Sequence, residues 1–187
     1  CFDGDEVIKY LNGRGLNHHK SLRQAKLDYF DNGKSAGEFQ SMVALITDKD
    51  NEPVSYHITY LEDQKKANVD SPKKVMPGIK SITGCAVRFG NGKHICVTEG
   101  IETALAVREL TGLPTWAAIN AGNLEKLEIP EEVERVDIYA DNDFNFAGHK
   151  AAYVLANKLS LKGVKTTVEI PRQKGTDFAD QFTEETE

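Results

Sequence analysis

The hydrophobic pattern changes its period part-way along the chain. In residues 1–40 apolar positions are scattered among polar ones and breaks. Val7-Ile8-Lys9-Tyr10-Leu11 predicts a helix that ends at Gly13-Arg14-Gly15, and Leu22, Ala25, Lys26, Tyr29 and Phe30 recur at roughly helical spacing. Met42 to Thr47 reads as a strand, Asp48 to Pro53 as a turn, and Val54 to Leu61 alternates as a half-buried strand. Together these predict an antiparallel hairpin. Residues 62–93 are polar and punctuated by Ser71-Pro72 and Pro77-Gly78, with one short strand at Ala86-Val87-Arg88-Phe89.

From residue 94 strands and helices alternate. His94 to Thr98 is followed by a helix from Ile101 to Leu110, Thr115 to Ile119 by a short helix over 123–127, and Val136 to Ala140 by a helix over about 147–161. Thr166 to Ile170 leads to a short final helix after Asp177. Alternating β and α elements mark a parallel sheet flanked by helices. The expected class is therefore α/β. A smaller α+β subdomain over 1–93, carrying the hairpin, precedes a parallel-sheet domain over 94–187.

Charge sharpens this division. The net charge is −6, but residues 1–93 hold 14 basic against 12 acidic residues, and residues 94–187 hold 9 against 17. Between residues 65 and 93 the basic excess is concentrated in Lys65, Lys66, Lys73, Lys74, Lys80, Arg88 and Lys93, against Asp70 alone. A basic strip joined to an acidic half suits a polyanionic substrate. No apolar run approaches the ~20 residues needed to span a membrane. Cys1, Cys85 and Cys96 are too widely spaced for a CxxC pair, so neither a zinc site nor a disulfide framework is expected, and a reducing, cytoplasmic setting is. His18-His19 reads as solvated loop, with no partner at zinc spacing.

Acids gather at the strand-to-helix junctions: Glu99 after the first strand of the parallel region, Asp141 and Asp143 after the third, Asp177 and Asp180 after the fourth. Open α/β sheets place ligands along that edge. With Val136 to Ala140 a buried strand, and residues two apart on a strand pointing to the same side, Asp141 and Asp143 are expected to aim their carboxylates at one spot, with Asn142 turned away. Carboxylates that close must share a proton or a cation, and an all-oxygen set favours Mg²⁺ or Mn²⁺.

Val97-Thr98-Glu99-Gly100-Ile101-Glu102, then Tyr139-Ala140-Asp141-Asn142-Asp143 with Gly148, then Gly175-Thr176-Asp177-Phe178-Ala179-Asp180, strongly resembles the Toprim domain. That domain is shared by bacterial-type primases, topoisomerases and some nucleases. Tyr10 to Leu16, the hairpin over 42–61, Pro72-Lys73-Lys74 and Gly84 to Arg88 extend the likeness to primases of phages, plasmids and other mobile genetic elements. The resemblance covers nearly the whole chain and is most specific over 95–182.

The resemblance implies a Rossmann-like Toprim sheet and a DNA primase catalytic core that performs metal-dependent nucleotidyl transfer in DNA replication. Glu99, Asp141 and Asp143 would be catalytic, and these three with Asp177 and Asp180 would hold Mg²⁺ or Mn²⁺. Glu99 would serve as ligand or general base. Arg14, Lys73, Lys74, Lys80 and Arg88 are candidates for DNA-binding or nucleotide phosphate contacts. The implied partners are a single-stranded DNA template, nucleoside triphosphates and a replicative helicase, with no membrane. Zinc-ribbon cysteines and helicase motifs would lie outside this stretch.

Three other readings compete. A Toprim nuclease would use the same carboxylates to cut a phosphodiester, and a non-catalytic nucleic-acid-binding module would keep only the basic surface. A haloacid-dehalogenase phosphatase would match Asp141-Asn142-Asp143, but Asn145 stands where its motif needs Thr or Val, and the motif falls on the third strand rather than the first.

Overall fold

A computed structural model describes residues 5–186 of the chain, with side chains described through Phe182. Cys1 therefore lies outside the described residues. The elements in order are α1 (Glu6–Asn12), β1 (Leu22–Asp31), β2 (Lys34–Thr47), β3 (Pro53–Glu62), β4 (Lys65–Lys66), β5 (Lys73–Val75), β6 (Ala86–Phe89), β7 (His94–Thr98), α2 (Ile101–Thr111), β8 (Thr115–Ala117), α3 (Ala121–Leu124), β9 (Arg135–Tyr139), α4 (Ala147–Ser160), β10 (Lys165–Glu169) and α5 (Phe178–Thr186).

All ten strands belong to one sheet, ordered β10-β9-β7-β8-β6-β2-β3-β4, with β1 on β2 and β5 on β3. The segment β10-β9-β7-β8 is parallel, as the alternation of strands and helices predicts. The hairpin of β2 and β3 is antiparallel, from Gln40↔Leu61 to Thr47↔Pro53. Strand β6 joins the two regions, pairing antiparallel with β8 through Val87↔Ala117 and with β2 through Ile46↔Val87. Hydrogen bonding thus runs unbroken across residue 93.

The helical reading of Leu22 to Phe30 is corrected. This segment is β1, paired with β2 from Leu22↔Ala44 to Asp31↔Lys34, with an irregularity between Asp28 and Phe30. The two-residue loop Asn32-Gly33, at φ 47° and 79°, supplies the left-handed pair that tight hairpins need. That irregularity shifts the side-chain alternation at the Tyr29-Phe30 end of the strand.

Two main clusters fill the two sides of the sheet. On one, Val7, Tyr10 and Leu11 of α1 and Ile101, Ala104 and Leu105 of α2 meet Met42, Ala44 and Ile46 of β2, with Ala179 of α5. On the other, Ile95, Val97, Val136 and Ile138 meet Ala151, Ala152, Leu155 and Leu159 of α4. Helix α2 is buried throughout Ile101 to Val107, and its alanines let neighbouring elements approach closely. Burying each large aliphatic side chain contributes roughly 1.5–3 kcal/mol, so these clusters rigidly hold the strand ends that carry the acids.

Candidate active site

Register brings the first two acids together. Strands β7 and β9 are neighbours with Thr98 opposite Tyr139, so Glu99 and Asp141 leave adjacent strand ends on the same edge. Strand β10 ends alongside with Glu169 opposite Tyr139, and the chain returns through residues 170–176 to Asp177. A cavity of about 100 Å³ forms there, lined by Glu99, Gly100, Ile119, Asp141 and Asp177 on one side and by Arg14, Lys66, Lys73, Glu102 and Thr103 on the other.

The strand stops at Tyr139, two residues short of Asp141. The alternation argument for a matched Asp141–Asp143 pair therefore fails. Asp141 enters the cavity, while Asp143 does not line it, and its Oδ2 accepts a hydrogen bond from the Gly148 amide at 3.1 Å. Asn142 is turned aside as expected, its Nδ2 donating to the Pro171 carbonyl at 2.8 Å. Gly148 allows this close turn, because a β carbon there would lie 2.5 Å from the Asp141 carbonyl oxygen.

Asp177 and Asp180 form a reciprocal cap for α5. Asp177 Oδ1 accepts from the amides of Ala179 at 2.7 Å and Asp180 at 3.0 Å, while Asp180 Oδ2 accepts from the Asp177 amide at 3.2 Å. The other Asp177 oxygen accepts from Thr103 Oγ1 at 3.1 Å. Asp177 thus lines the cavity with both oxygens engaged. Asp180 stands outside it, 3.8 Å from Arg14.

Glu99 Oε2 and Asp141 Oδ1 are buried without a hydrogen-bond partner. Burial pushes the Asp141 carboxyl up to about 8, reinforced by the charges of Glu99, Asp177 and Asp143 and opposed by Lys73. Burial also raises Glu99, with Asp143 adding to it and the Ala121 amide opposing. Among the described residues, no three His, Cys, Asp or Glu side chains are gathered closely enough to hold a metal ion as they stand. Even so, two unpartnered buried oxygens in a surplus of negative charge fit a hard divalent cation, which would satisfy both and reverse the upward pressure on their pKa values.

The opposite wall contains residues the sequence pattern did not single out. Glu102, only 4% exposed, accepts from Tyr10 Oη at 2.8 Å and lies 3.2 Å from Lys66 Nζ and 3.4 Å from Lys73 Nζ. Burial alone would raise its pKa, but the Lys73 and Lys66 ammoniums and the Tyr10 hydroxyl outweigh it and hold the carboxyl well below the usual range. Burial lowers Lys66, partly offset by Glu102. Glu102 follows Glu99 by three residues, on the first turn of α2. A charged residue among the apolar Ile101, Ala104 and Leu105 in the first turns of α2 is the signal that could have found it.

Of the predicted basic contacts, Arg14 and Lys73 reach the cavity. The others do not. Lys74 donates to the Phe30 carbonyl and sits over the Tyr29 ring. Lys80 pairs with Asp48, and Arg88 donates to the Asp48 carbonyl while stacking on Trp116. The turn Asp48 to Pro53 holds both.

Comparison with known proteins places this arrangement. A family profile described as the Toprim domain matches residues 94–187. The chain belongs to the Toprim family. A second profile, a domain of unknown function (DUF7146), matches residues 1–89. Among curated proteins, none matches the sequence.

Solved structures share the fold of this Toprim protein. The DnaG catalytic core matches with TM-score 0.62 at 17% identity, over 97% of this chain and 68% of that one. A DNA primase domain from Pseudomonas aeruginosa matches with TM-score 0.59 at 15% identity, over 92% of this chain and 65% of that one. The primase fragment of the bacteriophage T7 primase-helicase protein matches with TM-score 0.52 at 21% identity, over 92% and 63%. The Toprim chain thus spans 63% to 68% of these solved chains, and at such identities the likeness establishes a shared fold.

Proposed function

We propose that the chain is a primase catalytic core that joins nucleotides on a single-stranded DNA template. The observation that carries this reading is the cavity with two opposed walls. On one, the unpartnered oxygens of Glu99 and Asp141 are buried together; on the other stand Arg14, Lys66 and Lys73.

Glu99 and Asp141 would hold Mg²⁺ or Mn²⁺, with Asp143 and Asp177 supplying further negative charge beside them. When bound, such an ion neutralises charge on a reacting triphosphate. Arg14, Lys66 and Lys73 bind the phosphates, and Lys73 also faces both acids, lowering the pKa of each. Glu102 and Tyr10 hold the two ammoniums in place before substrate arrives, so little reorganisation is needed at the moment of reaction. Glu99 would serve as a ligand or, where the ion leaves one of its oxygens free, as the base that takes the proton from an attacking 3′-hydroxyl. The T7 relative is part of a primase-helicase protein, which supports a helicase as partner.

The test is nucleotide incorporation on a single-stranded DNA template with Mg²⁺ or Mn²⁺, with ribo- and deoxynucleotides compared. Primer products from the wild type, lost in Glu99→Gln and in Lys66→Met/Lys73→Met, are expected. Cleavage of the template without incorporation would replace this reading with a nuclease, and binding without either reaction would replace it with a nucleic-acid-binding module.

A further inference from the structure

Resting on the reading of this site as one that handles nucleic acid, we propose that Phe144 and Phe146, with Lys174, form a stacking platform for a nucleobase at the rim of the acidic cavity. Phe144 is 73% and Phe146 55% exposed, so neither ring serves the core. Both lie in the turn between Asp141 and α4.

This turn is held in place. The Asn142 amide donates to the Thr176 carbonyl at 3.0 Å and the Gly175 amide donates to the Asn142 carbonyl at 2.7 Å. Those two bonds lock the turn to the residues just before Asp177, so both ends of the platform are tied to cavity residues. The Phe144 ring rests on Gly175. A β carbon there would lie 2.6 Å from Phe144 Cε2, and Gly175 has φ 84°, so the seat depends on glycine. Phe146 has φ 61°, a left-handed conformation that large side chains rarely adopt, fixed by its amide donating to the Asp143 carbonyl at 3.1 Å. Such strain persists where the surroundings impose it, and here it projects an apolar ring into solvent. His149 packs edge-on against the Phe146 ring at 5.3 Å.

Lys174 decides the occupant. Its ammonium lies 4.7 Å from the Phe146 ring centre and 5.6 Å from that of Phe144. Exposed aromatic rings with a cation over them match a base and its phosphate, the combination by which proteins hold single-stranded nucleic acid. The base comes either from the template strand or from the incoming nucleotide, and two arms of one experiment separate these.

Phe144→Ala, Phe146→Asn and the double variant are prepared; asparagine tolerates the left-handed conformation, and the exposure of both rings leaves the fold intact, checked by circular dichroism. In the first arm, fluorescence anisotropy measures binding of a labelled single-stranded oligonucleotide and of an abasic strand of equal length. In the second, calorimetry compares a nucleoside triphosphate with inorganic tripolyphosphate, both with Mg²⁺. Loss of about tenfold in affinity per ring, confined to the base-carrying strand, assigns the platform to the template. The same loss confined to the nucleoside triphosphate assigns it to the incoming nucleotide. Base-carrying ligands that bind wild type and double variant equally, or losses that fall equally on base-free ligands, overturn the platform while leaving the primase reading intact. A wild type that binds neither strands nor nucleotides overturns both.

Discussion

Replacing Glu102 by glutamine is the sharpest test of how the basic wall is held. The amide keeps the shape and can still accept from Tyr10, but it removes the one negative charge between Lys66 and Lys73. Breaking a fully buried ion pair by deleting one partner costs about 3–5 kcal/mol. Here the carboxylate is buried but the Lys66 and Lys73 side chains are 34% and 41% exposed, so water screens part of the loss. A cost of about 2 kcal/mol follows, or a fall in Tm of roughly 4–8 °C for a chain of this size. Urea denaturation of metal-free protein at pH 7 measures it. The pH dependence carries a definite sign. Glu102 is depressed in the folded state, so its contribution is complete above the unfolded carboxylate value and declines as pH falls below about 4.5. The gap between wild type and Glu102→Gln is therefore expected to be widest near neutrality and to narrow in acid. A change below about 0.5 kcal/mol at pH 7, or a gap that widens in acid, would refute the reasoning.

Other consequences follow from the same geometry. Asp141, raised to about 8, is largely protonated in the fold near neutrality, and Asp141→Asn removes the cost of taking up that proton, so the metal-free variant should be more stable than wild type at pH 7 by about 1–3 kcal/mol while losing incorporation activity, as thermal denaturation in chelator and the primer assay would show. Gly148→Ala should displace Asp141 through the 2.5 Å approach of its β carbon and cut incorporation at least tenfold, measured at saturating nucleotide. His57 is buried and lowered to about 4, chiefly by burial, with Glu102 opposing and Lys73 and Lys66 assisting. The unfolded chain therefore takes up that proton first. Stability should fall as pH drops from about 6.5 towards 4, by up to about 3 kcal/mol, and His57→Gln should flatten that slope in denaturant titrations.

Much of the fold was legible because strong periodicity coincided with burial. The parallel strands β7, β9 and β10 and the helices α2 and α4 fall where the alternation of apolar runs places them. The first hairpin was not. The helical spacing from Leu22 to Phe30 was read without Asn32-Gly33, the pair that closes the turn of this hairpin and is the stronger local signal. At the site, the placing of Glu99, Asp141 and Asp177 at strand-to-helix junctions was enough to put them on one edge of a parallel sheet, while the pairing of β9 with β7 that sets Glu99 beside Asp141 was not readable from the sequence. Residue types could not separate Asp143, which turns to the Gly148 amide, or Asp180, which caps α5. Those roles depend on where β9 and β10 end. Nor could charge counting tell Lys73 from Lys74. Neighbours on a strand face opposite sides, and only Lys73 points to Glu102. Lys66 and Glu102 remained hidden because their partner lies in another element, 36 positions away in the sequence.

Binding of Mn²⁺, followed by electron paramagnetic resonance, tests the central claim most directly, because it reads the Glu99–Asp141 pair without requiring any reaction. The wild type should bind the ion, Glu99→Gln and Asp141→Asn should each weaken binding by a factor of about ten or more, and Asp180→Asn, away from the cavity, should change it little. Equal affinity in wild type and Asp141→Asn would contradict the account.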